Sequence, residues 1–237
     1  MDALVHLLQL LVLLLTLPLH LMALLGCWRP LCKIGLPYLM AGLTAKCNRK
    51  MGSKKQDLFG QIKGLMGASG KVALLELDCG TGANFQFYQV GCRITCLDPN
   101  PHFERFLTKS MAESKHLQYE QFVVASGADM KGLADGCMDV VVVLCSVQSR
   151  RRVLQEVQRV LRPGGVFFFW ERVAEPRGSW AFLWQQVLEP TWDGCCLTRE
   201  TWKDLESAQF SQLQMEQHPP PFRWLPIGPH IMGEAVK

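Results

Sequence analysis

Lys71-Val72-Ala73-Leu74-Leu75-Glu76-Leu77-Asp78-Cys79-Gly80-Thr81-Gly82-Ala83-Asn84-Phe85, followed by Arg93-Ile94-Thr95-Cys96-Leu97-Asp98-Pro99-Asn100, decides the fold of this 237-residue chain. Val72 to Leu77 is an almost unbroken apolar run, which suits a parallel strand covered on both faces. Gly80 and Gly82 carry no Cβ, so the backbone can turn sharply there and come close to a ligand. Arg93 to Leu97 predicts a second strand, and Asp98 ends it, 18 residues beyond Gly80. An acid at that place can hold ribose hydroxyls. Strand, glycine turn, short helix, strand and acid together point to a nucleoside-containing cofactor. A dinucleotide fingerprint would put a third glycine at position 85, where this chain has Phe85, and that argues against a nicotinamide enzyme.

Outward from this stretch, strands and helices alternate, as in an α/β fold. Leu58, Ile62 and Leu65 recur at helical spacing and predict a lead-in helix from near Asp57. Pro101 to Lys115 predicts a helix with Phe103, Phe106, Leu107 and Met111 on one side, and Phe122 to Ala125 a third strand. Asp139 to Leu144 is a fourth, ending at Cys145-Ser146. Arg150 to Leu161 reads as an amphipathic helix whose Arg150-Arg151-Arg152 run is a solvated face. Leu161-Arg162-Pro163-Gly164-Gly165 then opens the strand Val166 to Trp170. Ser179 to Trp192 is rich in Trp, Phe and Leu, which fits either an apolar roof over an acceptor pocket or a plain core helix. Thr198 and Thr201 are cap candidates for a helix near Trp202. Phe210 to Met215 and His230 to Val236 supply two last strands, joined through the stiff Pro219-Pro220-Pro221.

Charge and hydropathy divide the chain differently. Residues 3–25 hold no Asp, Glu, Lys or Arg, and 23 residues of helix at 1.5 Å each would cross a hydrocarbon core of about 30 Å. An uncleaved anchor is favoured over a signal peptide, because the start is Met1-Asp2 rather than basic. Pro18 leaves open a hairpin that never crosses. Pro30 to Leu43 is apolar but broken by prolines, and suits the membrane interface. Cys27 to Gln56 holds Arg29, Lys33, Lys46, Arg49, Lys50, Lys54 and Lys55 with no acid, which by the positive-inside rule places the following domain in the cytosol. Such lysines can attract anionic lipid at about 1 kcal/mol each. The net charge is +4, so the chain from Asp57 onward is slightly acidic. Without a basic stripe it is no nucleic-acid binder, and a small-molecule substrate is expected. The expected division is therefore 1–28 anchor, 29–56 basic juxtamembrane linker and 57–237 catalytic domain. The ten cysteines form no Cys-x-x-Cys and lack suitably spaced histidines, so free thiols are expected and no metal site.

Glu76, Cys79, Gly80, Thr81 and Gly82, the acid-ended second strand and Leu161 to Gly165 in that order resemble class I S-adenosylmethionine-dependent methyltransferases. That resemblance implies a Rossmann-like, seven-stranded, mostly parallel sheet, here preceded by an N-terminal membrane-anchoring helix. It implies S-adenosyl-L-methionine as cofactor, contacted by Glu76, Gly80 and Gly82 around the first turn and by Asp98, Pro99 and Asn100 after the second strand. Asp129 and Met130 would follow at the adenine, and Cys145 and Ser146 beside the transfer site. Asp98 is the one weak candidate for a catalytic role.

A narrower resemblance rests on the leucine-rich start, Leu97 to Phe103, Leu161 to Gly165, Trp184 to Val187 and Leu197 to Trp202. Together they are similar to the methyltransferase-like 7 family, the membrane-bound thiol S-methyltransferases. The resemblance implies an endoplasmic-reticulum and lipid-droplet membrane protein that methylates small alkyl thiols, including hydrogen sulfide and thiol drugs. A lipid or quinone methyltransferase and a non-catalytic or weakened membrane paralogue are the alternatives. The family pattern has glycine where this chain has Asp78, and a histidine where it has Arg172. It also has about three more residues in the fourth strand and about four more after Trp192, and an odd-numbered loss within a strand would flip the faces that follow.

Overall fold

The structure, a computed structural model, describes residues 2–26, 28–66, 70–144, 149–188, 197–220 and 228–237. Val72–Leu77 (β1) is buried at every position, as its apolar run requires. It pairs in parallel with Cys92–Leu97 (β2) on one side and Met138–Leu144 (β4) on the other. Gln118–Val123 (β3) extends the sheet beyond β2, and Leu161–Arg172 (β5) extends it beyond β4. His230–Val236 (β7) runs antiparallel between β5 and Gln212–His218 (β6). The order β3-β2-β1-β4-β5-β7-β6 is thus seven-stranded with one reversed strand, as expected of a class I methyltransferase sheet.

Two apolar layers sandwich this sheet. Leu75, Leu77, Val141, Val143, Phe167 and Phe169 point to one layer, and Leu74, Val140, Val142, Phe168 and Trp170 to the other. The period-2 alternation of β4 is regular from Val140 to Val143, while its pairing with β5 shifts register between Met138 and Val140. Cys79, Cys92 and Cys96 are buried free thiols.

Several boundaries move. The third strand begins at Gln118 rather than Phe122, because an edge strand exposed along Gln118 to Gln121 lacks an apolar signal. The fifth begins at Leu161, straight off Arg150–Val160 (α6). Gly164 takes φ 75°, and a Cβ on Gly165 would crowd the carbonyls of Arg162 and Asp139, which accounts for the paired glycines. The helix near Trp202 is Thr201–Ser207 (α8), with Glu200 at its N-cap and no side-chain cap bond, so neither threonine caps it. The arginine run at the start of α6 is not merely solvated: Arg150 pairs with Asp204 of α8 at 2.7 Å and Arg151 at 3.7 Å.

The N-terminal half of the chain departs most from expectation. The leucine-rich stretch folds as Asp2–Leu15 (α1) and Leu17–Leu24 (α2), interrupted at Thr16. Pro18 has no N–H to continue the ladder, and Thr16 Oγ1 bonds back to the carbonyl of Val12 at 2.7 Å. Fourteen residues rise only about 21 Å. Among the described residues no helix is long and apolar enough to cross a membrane. Nor is the basic stretch a linker: Trp28–Gly60 (α3) is one helix, followed by Ile62–Leu65 (α4). Its second half is held because Met51, Leu58 and Phe59 bury themselves against the sheet. A 3-10 turn, Pro101–Phe103, leads into Glu104–Glu113 (α5), with Leu107 fully buried as its spacing predicts.

Candidate active site

The glycine turn after β1 is tightly specified. Gly80 (φ 53°) and Gly82 (φ 71°) are left-handed, and a Cβ on Gly82 would overlap the Phe85 ring. At Gly80 a Cβ would meet nothing nearer than Phe103 at 3.8 Å, so the backbone there is open to a ligand. Asp78 also sits at a left-handed φ of 48°, a conformation that suits the glycine of the family pattern better.

Asp98 ties this turn to β2. Its Oδ2 accepts from Gly80 N at 3.0 Å and its Oδ1 from Asn100 N at 2.8 Å. Asp98 is 4% exposed, and burial raises its pKa against the opposing pull of those two N–H donors. Two of the carboxylate's four lone-pair sites are thereby used, which leaves acceptors for ribose hydroxyls. The cradle lies at the carboxyl ends of β1, β2 and β4, where the strand order reverses. Ligands bind at that crevice in open α/β sheets. Open backbone at Gly80, a buried acid with spare acceptors and this switch point fit a nucleoside cofactor.

Behind the turn stands a polar network that sequence reading missed. Asn84 Nδ2 donates to Glu76 Oε1 at 2.7 Å, and Lys55 Nζ of α3 donates to Asn84 Oδ1 at 2.8 Å. Lys55 also reaches Asn48 Oδ1 at 2.8 Å, while Asn48 Nδ2 donates to the carbonyl of Ala83 at 2.7 Å. The helix expected as a linker therefore clamps the cofactor turn. Glu76 is 2% exposed, and burial pushes its pKa up to about 7 despite Asn84, Tyr88 and Lys55, which lower it. Glu76 Oε2 and Tyr88 Oη are both sealed from solvent behind the turn. The signal for Asn84 was its place just past Gly82; Lys55 and Asn48 had none, since their partners lie 29 and 35 residues away.

The expected site residues thus divide. Glu76, Gly80, Gly82, Asp98 and Asn100 are drawn together around the turn, with Pro99 exposed beside them. Asp129 pairs with Lys131 at 3.3 Å on the surface. Met130 is 1% exposed in the core layer with Leu133 and Val157, and its N–H donates to Glu156 Oε2, so its side chain does not line the cradle. Cys145 and Ser146 lie outside the described residues.

Comparison with known proteins fits this geometry. A family described as a methyltransferase domain matches residues 75–169, from β1 into β5. The human thiol S-methyltransferase TMT1B is 79% identical over 244 aligned positions, with both chains covered in full. The chain belongs to the thiol S-methyltransferase family. Human TMT1A, of the same family, is 54% identical over 220 residues and 90% of each chain. The alignment with TMT1B is longer than the 237 residues here, as expected if this family member lacks residues that its relative keeps. Among solved structures, a geranyl diphosphate methyltransferase in complex with S-adenosylmethionine shares the fold at a TM-score of 0.60. The match has 15% identity and covers 78% of this chain and 84% of that one. This family member is an S-adenosylmethionine-dependent methyltransferase, and Gly80, Asp98 and Asn100 are the residues that would hold the cofactor.

Proposed function

We propose that this chain transfers a methyl group from S-adenosylmethionine to small apolar thiols, hydrogen sulfide included. The observation that carries the reading is the Gly80–Asp98–Asn100 cradle in a chain so similar to a thiol S-methyltransferase. When bound, the cofactor supplies a sulfonium methyl with an excellent leaving group, so the protein's work is mainly alignment. The turn admits the cofactor through open backbone, Asp98 orients its ribose, and the Lys55–Asn84–Glu76 network keeps the turn rigid.

An apolar acceptor is favoured by what stands over the carboxyl end of the sheet. Trp180–Leu188 (α7) follows β5 and is pinned there by Gln185, whose Oε1 accepts from Glu175 N and whose Nε2 donates to the carbonyl of Val173. Its other side takes α1, through Val5 against Leu183 and Val187. This apolar helix beyond the end of β5 is the roof we assign to the acceptor. The test is a methylation assay with alkyl thiols, phenols and a ubiquinol-type quinol, products read by mass spectrometry. Thiols are expected to be methylated at least tenfold faster than either oxygen acceptor; preference for a phenol or quinol would move the assignment to oxygen.

We further infer that the protein lies in the surface of the endoplasmic-reticulum and lipid-droplet membrane, catalytic domain in the cytosol, rather than spanning it. Leu7, Leu11, Leu14 and Leu15 of α1 stay exposed after α1 has packed on α7, and Trp180 and Trp184 are exposed beside them. Leucines with tryptophans at their margin suit headgroup depth. Flotation of the full chain with phospholipid vesicles is expected, with most of it lost in a Leu7→Ser, Leu11→Ser, Leu14→Ser variant. Unchanged flotation of that variant would remove α1 from the contact.

A further inference from the structure

The segment that leaves β3 comes back to the cradle, and α6 holds it there. Gly127 is buried between α6 and the end of β1, where a Cβ would meet Val153 at 3.6 Å and Leu77 at 3.8 Å. Leu77 directly precedes Asp78, so this segment lies against the start of the cofactor turn. Ser126 closes it into a turn of its own. Its Oγ accepts from Ala128 N at 3.2 Å and its carbonyl from Asp129 N at 2.9 Å.

Met130, the next residue, is held at both of its backbone polar groups. Its N–H donates to Glu156 Oε2 at 2.7 Å, and its carbonyl accepts from Arg159 Nη2 at 2.9 Å. Arg159 Nη1 adds the carbonyl of Leu133 at 2.8 Å and Asp135 Oδ1 at 2.6 Å. The remaining bonds go to Glu156, from Nε at 2.8 Å and from Nη2 at 2.9 Å. A guanidinium has five N–H groups, and all five are used. Arg159 holds the Glu156 carboxyl below the usual carboxylate range, so the pair stays charged at neutral pH. An ion pair that only braced α6 would need neither carbonyl. This one turns its donors onto the chain leaving β3, and a loop fixed beforehand spares the cost of ordering it when a ligand binds.

We propose that Glu156 and Arg159 are positioning residues for the cofactor. They fix the 126–130 turn so that the Asp129 carboxylate accepts from the amino group of the adenine. With the Met130 side chain in the core and its N–H taken by Glu156, Asp129 offers the turn's one charged acceptor. Its side chain is 56% exposed, and its Oδ2 meets only the exposed Lys131 at 3.3 Å among the described residues, a pair of little strength. A carboxylate accepts without donating, which suits an amino group. Glu156 and Arg159 act through the turn and touch no cofactor atom. The inference needs only S-adenosylmethionine dependence and holds whatever the methyl acceptor.

The test is calorimetric titration of the full chain with S-adenosylhomocysteine and with its analogue carrying hydrogen in place of the purine amino group. The ratio of the two affinities is the readout. The amino form is expected to bind about tenfold tighter, the usual worth of a hydrogen bond to a charged group. That preference should vanish in Asp129→Ala, an exposed position whose loss spares the fold. It should be largely lost in Arg159→Gln and also in Arg159→Lys, because an ammonium group cannot replace a fork that spans two carbonyls. If Arg159→Gln does not fold, Glu156→Gln, which keeps the length of the side chain, reads the same ratio. No preference in the native chain, or one unchanged in Asp129→Ala, overturns the proposal. A preference lost in Asp129→Ala but kept in the Arg159 and Glu156 variants overturns the positioning role. Equal weakening of both ligands with the ratio kept also overturns it, since the pair then only braces the fold. Binding of neither ligand, in the native chain or in Asp78→Gly, overturns the cofactor assignment and this inference with it.

Discussion

Replacing Asp78 with glycine is expected to tighten S-adenosylmethionine binding by about fivefold to a thousandfold. By the family pattern, the turn that Asp78 begins would face the cofactor's methionine end, whose carboxylate would be a second anion there. Two like charges about 4 Å apart cost from about 1 kcal/mol in water to about 4 kcal/mol at an effective dielectric of 20, which sets that range. Backbone strain enters separately. Asp78 holds a φ of 48°, which costs most L-residues about 1–2 kcal/mol and aspartate less. Glycine removes that strain but gives up about 0.5–1 kcal/mol of unfolded-state entropy, so stability should hardly change. Asp78→Asn isolates the charge, because asparagine also tolerates the left-handed region. Calorimetric titration of the three proteins should rank affinity glycine and asparagine together above aspartate. Equal affinity in all three would show that the charge of Asp78 does not oppose cofactor binding.

Glu76→Gln is expected to stabilise the protein by about 3 kcal/mol at pH 8.5 and by almost nothing at pH 4. In the fold Glu76 titrates at about 7, against 4.5 when exposed, and burial is the main cause. Between those two values the folded chain keeps a proton that the unfolded chain has released. Stability therefore falls as pH climbs from 4.5 to 7, and the full penalty stands above 7. The gap converts at 1.36 kcal/mol per pH unit, to order of magnitude. Glutamine keeps an acceptor for Asn84 Nδ2 and offers a donor to Tyr88 Oη, so the clamp on the turn survives. Chemical denaturation at the two pH values reads the difference directly. A gain that is the same at both would show that Glu76 ionises normally inside the fold.

Where a contact is local, or repeats with the period of its strand, the chain announced it. Val72 to Leu77 declared a doubly covered strand, Gly80 and Gly82 declared a turn, and Asp98 stood at the end of its strand, because each signal is written within a few residues. Phe103, Leu107 and Val157 were likewise legible from helical spacing. The edge strand β3 was not, since one-sided exposure erases the apolar run that marks a central strand.

The sequence by itself determined the α/β fold, a mostly parallel sheet and the cofactor class. Tertiary structure alone decided the rest. It broke the leucine-rich start at Thr16 and laid α1 on α7, a choice between two helices and one that hydropathy cannot make. It turned the basic stretch into a helix whose Lys55 and Asn48 grip the turn, and whose Lys54 meets His218 from a strand 164 residues away. Polar side chains earn a buried place only through partners that fit them, and those partners are neighbours in space that no local pattern names.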